Sequence, residues 1–340
     1  MPITLADIAQ TLGVSKMTVS RAINNHPEIH PATRKRVLAA VRQMNYRPNH
    51  HARALTTNRS HSIGLVVPDL MHSYFAEIAK AIETVARPAG YALLICNTEE
   101  NAATELAEVE VLRHRTDGLI IASAVTIKKS ASYRPMLKEG AKIVMVDRHF
   151  PNLPCPAVTT DDVAVGRLAT EHLIRLGHRR IGHLRGSDIA VAVNRLEGYV
   201  QALTAHRLRV DETLVRNCGF FESDGYAAMQ TWIAEGTVPP AIFAANDPIA
   251  IGAMRALQEA GISVPEKVAV VGAGNIHYGD MLQVPLTTIT WDKAGMGQQA
   301  MNLLLDALDQ ERNASRQRAS PHLIVAPELV VRKSCGARSA

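Results

Sequence analysis

Long hydrophobic runs and paired cysteines are both missing from this chain of 340 residues. The longest apolar stretches, such as GLIIASAV, are far shorter than the roughly 20 residues that a membrane-spanning helix needs. The N-terminus has no basic segment followed by an apolar core, so we expect no signal peptide and a cytoplasmic protein. The four cysteines are scattered and form no CxxC pair, which argues against a disulfide framework and against a zinc site.

Sequence signatures of catalysis are also lacking. The chain contains no GxSxG elbow, no HExxH motif and no phosphate-binding P-loop. His172, His178 and His183 are close in sequence, but they do not have the spacing of metal ligands. The glycines of GAGNIHYG have the wrong spacing for a dinucleotide-binding loop. We therefore predict a protein that is not an enzyme and that binds no metal and no cofactor.

Acidic residues are scarce in the first 60 positions. This segment carries nine basic side chains and two acidic ones, whereas the whole chain has a net charge of only +5. A small basic head on a nearly neutral body is typical of a nucleic-acid reader that has a separate second function. The alternative is an ordinary solvated basic surface, and charge alone leaves both interpretations open.

An apolar stripe at helical spacing predicts the first helix of this head. The stripe consists of Leu5, Ile8, Ala9 and Leu12. Thr4 precedes it and Asp7 follows three residues later, which predicts a capping box. Gly13 then ends the helix at a position where a left-handed residue is favoured.

Two further helices complete the predicted head. Ser15 caps the second helix. The outward face of this helix has few acids and little to bury, and it carries Lys16, Met17, Ser20 and Arg21. The opposite face carries Val19, Ala22 and Ile23. A third helix begins near Pro31 and packs Val37, Val41 and Met44. The first two helices are about three residues apart, which is helix-turn-helix geometry, with the second helix entering the major groove. The alternative is a plain three-helix cap.

The side chains of this head divide into base readers and phosphate contacts. Arg21 is the candidate for a bidentate contact to guanine, and Met17 offers only apolar contact, for example to a thymine methyl. Hydroxyl and amide groups are candidates for phosphate contacts. The predicted DNA-binding residues of the head are Thr4, Leu5, Ser15, Lys16, Met17, Thr18, Ser20, Arg21, Asn24, Thr33 and Tyr46.

The sequence resembles the lactose-repressor (LacI/GalR) family of transcriptional regulators. The resemblance rests on TLADIAQTLGVSKMTVSRAIN, TRKRVLAAVRQMNYRPN and ARALTTNRSHSIGLVVPD, and further on LIRLGHRRIGHLRG, NRLEGY, AIFAANDPIAIGAMRAL and PLTTI. These motifs occur in family order over nearly the whole chain. The resemblance implies a helix-turn-helix domain at 1–47, a hinge at 48–60 and a two-lobed effector-binding and dimerisation domain at 61–334.

The hinge is the segment RPNHHARALTT. In this family it folds into a short helix only in a dimer on the correct DNA, and its leucine, similar to Leu55 here, wedges into the minor groove. Asn49 is suited to cap that helix, and Ala52 is a further candidate DNA contact. About nine residues are too few to be helical alone. The alternative is an ordinary flexible linker.

Short apolar runs alternate with helical stretches from Ser62 onward, which predicts parallel, doubly wound sheets. The series is too long for one sheet and breaks near residues 159–161. Together with the resemblance to the family and to periplasmic sugar-binding proteins, this predicts two lobes. We place 61–160 with 291–320 in the first lobe and 161–290 with 321–334 in the second.

Ligands of such sheets bind where strands end, so the cleft between the lobes is the expected effector site. The candidates are Asp69, Tyr74, Phe75, Asp147, Arg148, Arg195, Asn246, Asp247, Asn275 and Trp291. Arg195 opens a helix in NRLEGY and matches the ligand-contacting arginine of the family. Asp69 and Asp247 have an alternative role as helix caps. Gly274 stands where the family usually has an acidic ligand contact, so the identity of the effector stays open.

These observations predict a homodimeric, sequence-specific transcriptional regulator, a repressor, that binds a pseudo-palindromic operator in double-stranded DNA. A small polar effector, such as a sugar or a related metabolite, controls its affinity, and no membrane is involved. The C-terminus lacks a leucine heptad, so we expect dimers and not coiled-coil tetramers. The alternatives are a solute-binding protein without a regulatory role, a sugar-processing enzyme of similar two-lobed build, and a non-specific chromosome-organising protein.

Overall fold

The computed structural model describes residues 3–23, 25–46, 59–313 and 320–337. The chain divides into two compact units, Met1–Ser60 and His61–Ala340, and each is described by itself. The predicted hinge contacts Asn49, Ala52 and Leu55, and the predicted DNA contact Asn24, lie outside the described residues.

The first unit is a three-helix domain. Its helices are α1 (Leu5–Leu12), α2 (Lys16–Ile23) and α3 (Pro31–Gln43). The predicted capping box is present, because Thr4 Oγ1 accepts from the Asp7 N–H at 3.4 Å and Asp7 Oδ2 accepts from the Thr4 N–H at 2.8 Å. Gly13 ends α1 with φ +64°, in the left-handed region that favours glycine. Local sequence therefore sets both ends of α1, as predicted.

The turn and the second helix also follow the prediction. Ser15 Oγ accepts from the Thr18 N–H at 3.0 Å and so satisfies a free donor in the first turn of α2. The centre of the domain is formed by Ile8, Val19 and Val37, one from each helix, all fully buried. The buried face of α2 is held by this core, and the opposite face of the helix is turned to solvent.

The second unit contains twelve strands and eight α-helices among the described residues. The strands are β1 (Ser62–Val67), β2 (Ala92–Asn97), β3 (Gly118–Ile121), β4 (Ile143–Val146), β5 (Ala157–Thr160), β6 (Ile181–Arg185), β7 (Val215–Asn217), β8 (Ala241–Ala244), β9 (Ala269–Ala273), β10 (Thr287–Thr290), β11 (His322–Val325) and β12 (Glu328–Val330). The helices are α4 (Ser73–Ala86), α5 (Ala102–Leu112), α6 (Arg134–Lys138), α7 (Asp162–Arg175), α8 (Ala190–Ala205), α9 (Glu222–Ala234), α10 (Asp247–Glu259) and α11 (Lys293–Asn313). Two 3₁₀ segments are Ile127–Tyr133 and Glu212–Leu214.

These strands form two six-stranded sheets, one per lobe. Lobe 1 has the strand order β11-β5-β4-β3-β1-β2, and all its pairs are parallel. Lobe 2 has the order β12-β10-β9-β8-β6-β7, in which only the β10–β12 pair is antiparallel. The predicted fold class, a helix-turn-helix domain followed by two parallel-sheet lobes, is confirmed.

Helices cover both faces of each sheet, which explains the continuous apolar runs. In β1, Ile63 and Leu65 share one core with Ile78 of α4, whereas Val66 points into a second core with Val109 of α5. A strand that is buried on both faces must be apolar at successive positions rather than alternate ones. This pattern is what made the strands visible in the sequence.

The chain passes between the lobes three times, after β5, after β10 and after β11. The prediction that 321–334 belongs wholly to the second lobe was wrong. His322–Val325 pairs in parallel register with Ala157–Thr160 at the edge of the first sheet, so the last crossing lies between β11 and β12. Which sheet gains an edge strand depends on which edge is open, and the sequence of that strand does not encode this. No helix in the described part of the chain has both the length and the apolar character needed to span a membrane.

Candidate DNA-binding surface and effector cavity

The solvent-facing side of α2 carries the predicted base-reading residues. Lys16 and Arg21 are exposed, and 62% of the Met17 surface is accessible, whereas Val19 and Ala22 are buried in the domain core. Few acids lie on this face, so it offers cations and a thioether to a ligand. Contact of these side chains with DNA stays a prediction.

Arg21 has a partner that the sequence pattern did not predict. Its Nη1 lies 3.0 Å from Glu28 Oε2, and both side chains remain largely exposed. Because exposed ion pairs contribute little free energy, a guanine edge can replace the carboxylate at low cost.

The other described candidates of the head differ in whether their side chains already pack or hydrogen-bond within the domain. Leu5 and Tyr46 pack against the core of the domain, and burial raises the pKa of the Tyr46 phenol. The Thr4 hydroxyl is engaged with Asp7, and the Ser15 hydroxyl contacts that of Thr18 at 2.9 Å. Their predicted phosphate contacts therefore require exchange of an existing hydrogen bond, and they stay predictions.

A cavity lies between the two lobes and brings most of the predicted effector residues together. Eight of the ten candidates line it: Asp69, Tyr74, Phe75, Asp147, Arg148, Arg195, Asn246 and Trp291. Asp69 follows β1, Asp147 follows β4 and Asn246 follows β8, so the carboxyl ends of parallel strands supply the polar wall.

Tyr74 organises the lobe 1 side of the cavity. Its hydroxyl donates to Asp147 Oδ1 at 2.6 Å and accepts from Trp291 Nε1 at 3.4 Å. Burial, and then the neighbouring Asp147 carboxylate, raise the pKa of Tyr74 well above its ordinary value. The phenol therefore stays protonated and holds the Asp147 carboxylate in a fixed orientation.

Arg148 is buried next to Asp147 and is held mainly by Glu100. Its Nη1 and Nη2 donate to the two Glu100 oxygens at 2.9 and 2.7 Å, and Nη1 also donates to the Ser123 carbonyl at 2.6 Å. Its Nε is buried without a hydrogen-bond acceptor among the described residues. The guanidinium carbon lies 5.7 Å from the centre of the Phe220 ring on lobe 2. Arg148 thus reaches across the cleft.

Arg195 supplies the matching cation from lobe 2. Its Nε donates to Asp162 Oδ1 at 2.8 Å, and its Nη1 donates to the Ala245 carbonyl at 2.6 Å. Burial raises the pKa of Asp162 to about 7, against the opposing attraction of the Arg195 cation. Arg195 does not open its helix as predicted, because α8 begins at Ala190. Arg195 lies inside α8, and its contacts with Asp162 and the Ala245 carbonyl fix its side chain.

Asp247 and Asn275 are not among the residues that line this cavity, and their contact with an effector stays a prediction. Asp247 is fully buried, and its carboxylate accepts from the Thr288 hydroxyl at 2.6 Å and from the Ile276 N–H at 2.7 Å. The Asn275 side chain bonds to Thr290 and accepts from Arg332 instead. Position at a strand end brings a residue to the right edge of the sheet, but packing decides whether it points inward or outward.

Two helix caps also differ from the predicted alternatives. Asn246, and not Asp247, caps α10, since its Oδ1 accepts from the Ile249 N–H at 2.8 Å. Its Nδ2 donates to the Phe220 carbonyl at 3.0 Å, so both ends of this amide are already used within the protein. Asp69 does not cap α4; His72 does, by accepting from the Tyr74 N–H at 3.2 Å.

Several residues of the cavity wall were not predicted from the sequence. They are His72, Glu100, Ile189, Val191, Ala192, Phe220, Phe221, Ala245 and Ala273, and Gly274 was noted there only for the acid it lacks. Phe220 and Phe221 follow β7, a strand of three residues that is too short to give a periodic signal. Burial and three nearby cations lower the pKa of His72 to about 4, so this side chain is neutral at pH 7.

Comparison with known proteins agrees with this arrangement. Residues 4–49 match the family described as "Bacterial regulatory proteins, lacI family", and residues 170–335 match a periplasmic binding protein-like domain. The HTH-type transcriptional repressor PurR of Haemophilus influenzae (strain PittEE) is 34% identical over 334 residues, covering 97% of this chain and 98% of that protein. The chain belongs to the LacI family. The HTH-type transcriptional regulator DegA of Bacillus subtilis (strain 168) is likewise 34% identical, over 337 residues that cover 98% of each chain.

Solved structures of the LacI family share the fold over nearly the whole chain. The lac repressor dimer bound to operator and the anti-inducer ONPF superposes with a TM-score of 0.87 at 29% identity, over 99% of this chain and 100% of that chain. The complex of the transcriptional regulator CelR with cellobiose gives a TM-score of 0.72 at 29% identity, over 98% and 99%. This LacI-family protein is a DNA-binding transcriptional regulator with an effector-binding domain, and the relatives named here are regulators, not enzymes.

Proposed function

We propose that the protein is a homodimeric repressor that binds a pseudo-palindromic operator and is controlled by a small, uncharged, polar effector. The effector occupies the cavity between the lobes and changes the angle between them. The observation that carries this proposal is the cavity itself, which is lined from both lobes in a chain that also has a helix-turn-helix domain. We place its action in the cytoplasm, where the operator is accessible.

The DNA half of the proposal rests on charge and exposure. The first 60 residues are strongly basic, and α2 presents Lys16, Met17 and Arg21 to solvent. Two such domains in a dimer contact two half-sites and release counterions, so operator affinity falls steeply with salt. The operator-bound lac repressor dimer has the same chain fold, which supports the dimer.

An uncharged effector is favoured by the balance of charges around the cavity. Three carboxylates line it, from Asp69, Glu100 and Asp147, against the two guanidinium groups of Arg148 and Arg195. Both cations are already paired with carboxylates. A phosphate or carboxylate ligand would therefore compete with these partners and with the negative charge of the lining carboxylates, and its desolvation would be poorly offset.

The remaining wall suits a molecule that has both apolar faces and polar edges. Tyr74, Phe75 and Trp291 offer aromatic faces near lobe 1, and Phe220 does so from lobe 2. Aromatic faces pack against the CH surfaces of sugars and the planes of heterocycles, while carboxylates accept from hydroxyl or amino groups. Gly274 adds no side chain, so Asp69 and Asp147 take the role that the family gives to an acid at that position.

A ligand screen tests this proposal directly. Thermal shifts of the full-length protein are measured with neutral sugars, nucleobases, sugar phosphates and organic acids, and hits are then added to footprints on a DNA site selected from a random pool. We expect a shift only from uncharged compounds, together with a symmetric footprint that the same compound weakens or strengthens. Stabilisation by anions alone would refute the uncharged effector. No symmetric footprint at any salt concentration would refute the repressor and leave the solute-binding alternative.

A further inference from the structure

Lys293, the first residue of α11, is buried beside the cavity and makes a set of contacts that no effector role explains. Its Nζ lies 3.0 and 2.9 Å from the two carboxylate oxygens of Glu77. The same Nζ donates to the carbonyl oxygens of Gly274 at 3.1 Å and of Asn275 at 2.9 Å. An ammonium has three N–H groups, so all its donors are used by these three residues.

The lobe 1 side of this contact is rigid. Glu77 lies on α4, whose N-terminal residues Tyr74 and Phe75 line the cavity. The start of α11 is pressed against α4, since a Cβ added at Gly297 would lie 2.7 Å from the Ile78 carbonyl oxygen. Glu77 and Lys293 are therefore carried by one packed pair of helices.

The lobe 2 side is equally well fixed. Gly274 and Asn275 directly follow β9, and Gly274 has φ +126°, in a region that L side chains rarely adopt. Asp247 Oδ2 accepts from the next backbone N–H, that of Ile276, and Arg332 Nη2 donates to Asn275 Oδ1 at 2.7 Å. The side chains of Asp247 and Asn275 thus anchor the carbonyls that Lys293 holds.

We propose that Lys293, oriented by Glu77, clamps the crossing between β10 and α11 and so fixes the angle between the lobes at which Trp291 is covered. The ammonium joins lobe 1 helices to lobe 2 carbonyls, and a rotation that lengthens these contacts by about 1 Å would break them. A buried cation stabilises a fold less than an apolar side chain of similar size does. We therefore assign Lys293 the role of fixing the angle between the two lobes. Lys293 is a positioning residue, since it does not line the cavity.

This inference rests on the proposed function only in treating the cleft as the effector site. Its test needs neither effector nor DNA: acrylamide quenching of tryptophan fluorescence in the ligand-free, full-length protein. The chain has two tryptophans. Trp232 is fully buried in the core of lobe 2, whereas Trp291 is 6% exposed and lines the cleft, so a change in quenching reports on Trp291. We expect Glu77→Gln and Lys293→Met to raise the quenching constant about twofold or more, as the open state gains population.

Three controls make the result decisive. Glu83→Gln removes an exposed ion pair with Arg87 on the same helix, α4, and should leave quenching unchanged. Lys293→Arg keeps the cation, so acrylamide should quench its tryptophan fluorescence less than that of Lys293→Met. In a Trp291→Phe background, Lys293→Met should have no effect.

Quenching of Glu77→Gln and Lys293→Met at the wild-type level, in proteins with a cooperative thermal transition, would overturn the clamp. If Lys293→Met does not fold, Glu77→Gln decides alone, because its side chain is 38% exposed and the replacement is isosteric. Failure of the clamp would leave the ligand screen unaffected, and an unsuccessful ligand screen would not alter the quenching result.

Discussion

The guanidinium carbon of Arg195 lies 5.3 Å from the centre of the Trp291 ring, so a helix of lobe 2 contacts the segment that crosses between the lobes. Arg195 comes from α8 in lobe 2, whereas Trp291 begins the crossing that leads to α11 in lobe 1. Cation–π contact of this kind is strongest where water is excluded. The proposed effector site is therefore complete only when both lobes face each other.

Arg195→Lys should weaken binding of the effector found by screening at least about tenfold, which is about 1.4 kcal/mol. A lysine ammonium cannot reproduce the planar fork that joins Asp162 to the Ala245 carbonyl while stacking on Trp291. Isothermal titration calorimetry measures the change. Arg167→Lys, on the exposed face of neighbouring α7, is the matched control and should bind as the wild type does. Equal affinity of both variants would remove Arg195 from the site.

Gly166→Ala should reduce both stability and effector affinity. A Cβ at Gly166 would lie 2.0 Å from the Arg195 carbonyl oxygen, so α7 and α8 must separate and Arg195 must move. Overpacking of this kind costs about 1–3 kcal/mol, which urea denaturation measures. Arg167→Ala, one residue away and exposed, should stay within about 0.5 kcal/mol of the wild type. Unaltered affinity in a folded Gly166→Ala protein would show that the cavity tolerates movement of α8.

Arg21→Ala should cost about 1–3 kcal/mol on the selected operator and much less on scrambled DNA, because a bidentate guanine contact carries sequence information. Fluorescence anisotropy at two salt concentrations measures both affinities. Glu28→Ala removes the partner of Arg21 but leaves the guanidinium in place, so it should keep the preference for the operator. Equal losses on operator and scrambled DNA would assign Arg21 to phosphate contact instead.

Acid should destabilise the protein in part through His183. Its ring is fully buried between Tyr199 and Phe243, and burial lowers its pKa to about 4. In the unfolded chain the pKa is about 6.5, so between pH 6.5 and 4 only the unfolded state takes up the proton. The free energy of unfolding therefore falls, as pH falls through this window, by up to about 1.4 kcal/mol per pH unit from this residue.

His183→Gln should reduce the slope of the free energy of unfolding against pH. Urea denaturation at several pH values measures this slope. His206→Gln removes an exposed histidine on the surface and is the matched control for the substitution itself. The absolute stability of the two variants does not enter the comparison, because only the dependence on pH isolates titration. Identical slopes in the wild type and His183→Gln would contradict a neutral, buried imidazole.

The head was predictable because its signals are local. The Thr4–Asp7 capping box, the left-handed Gly13 and the Ser15 cap each depend on residues within four positions of one another. The effector cavity was predictable in outline only. Strand ends located Asp69, Asp147 and Asn246, but the short strand β7 hid Phe220 and Phe221.

By itself, the sequence determined the helix-turn-helix domain, its basic charge and the alternation of strands and helices, since hydrophobic period and capping act over one or two turns of chain. Only the tertiary structure decided that Asp247 and Asn275 point away from the cavity, that β11 joins the first sheet and that Lys293 bridges the lobes. Each of these depends on side chains or strand edges far apart in sequence. Their orientation is fixed by packing and by hydrogen-bond partners that no local pattern specifies.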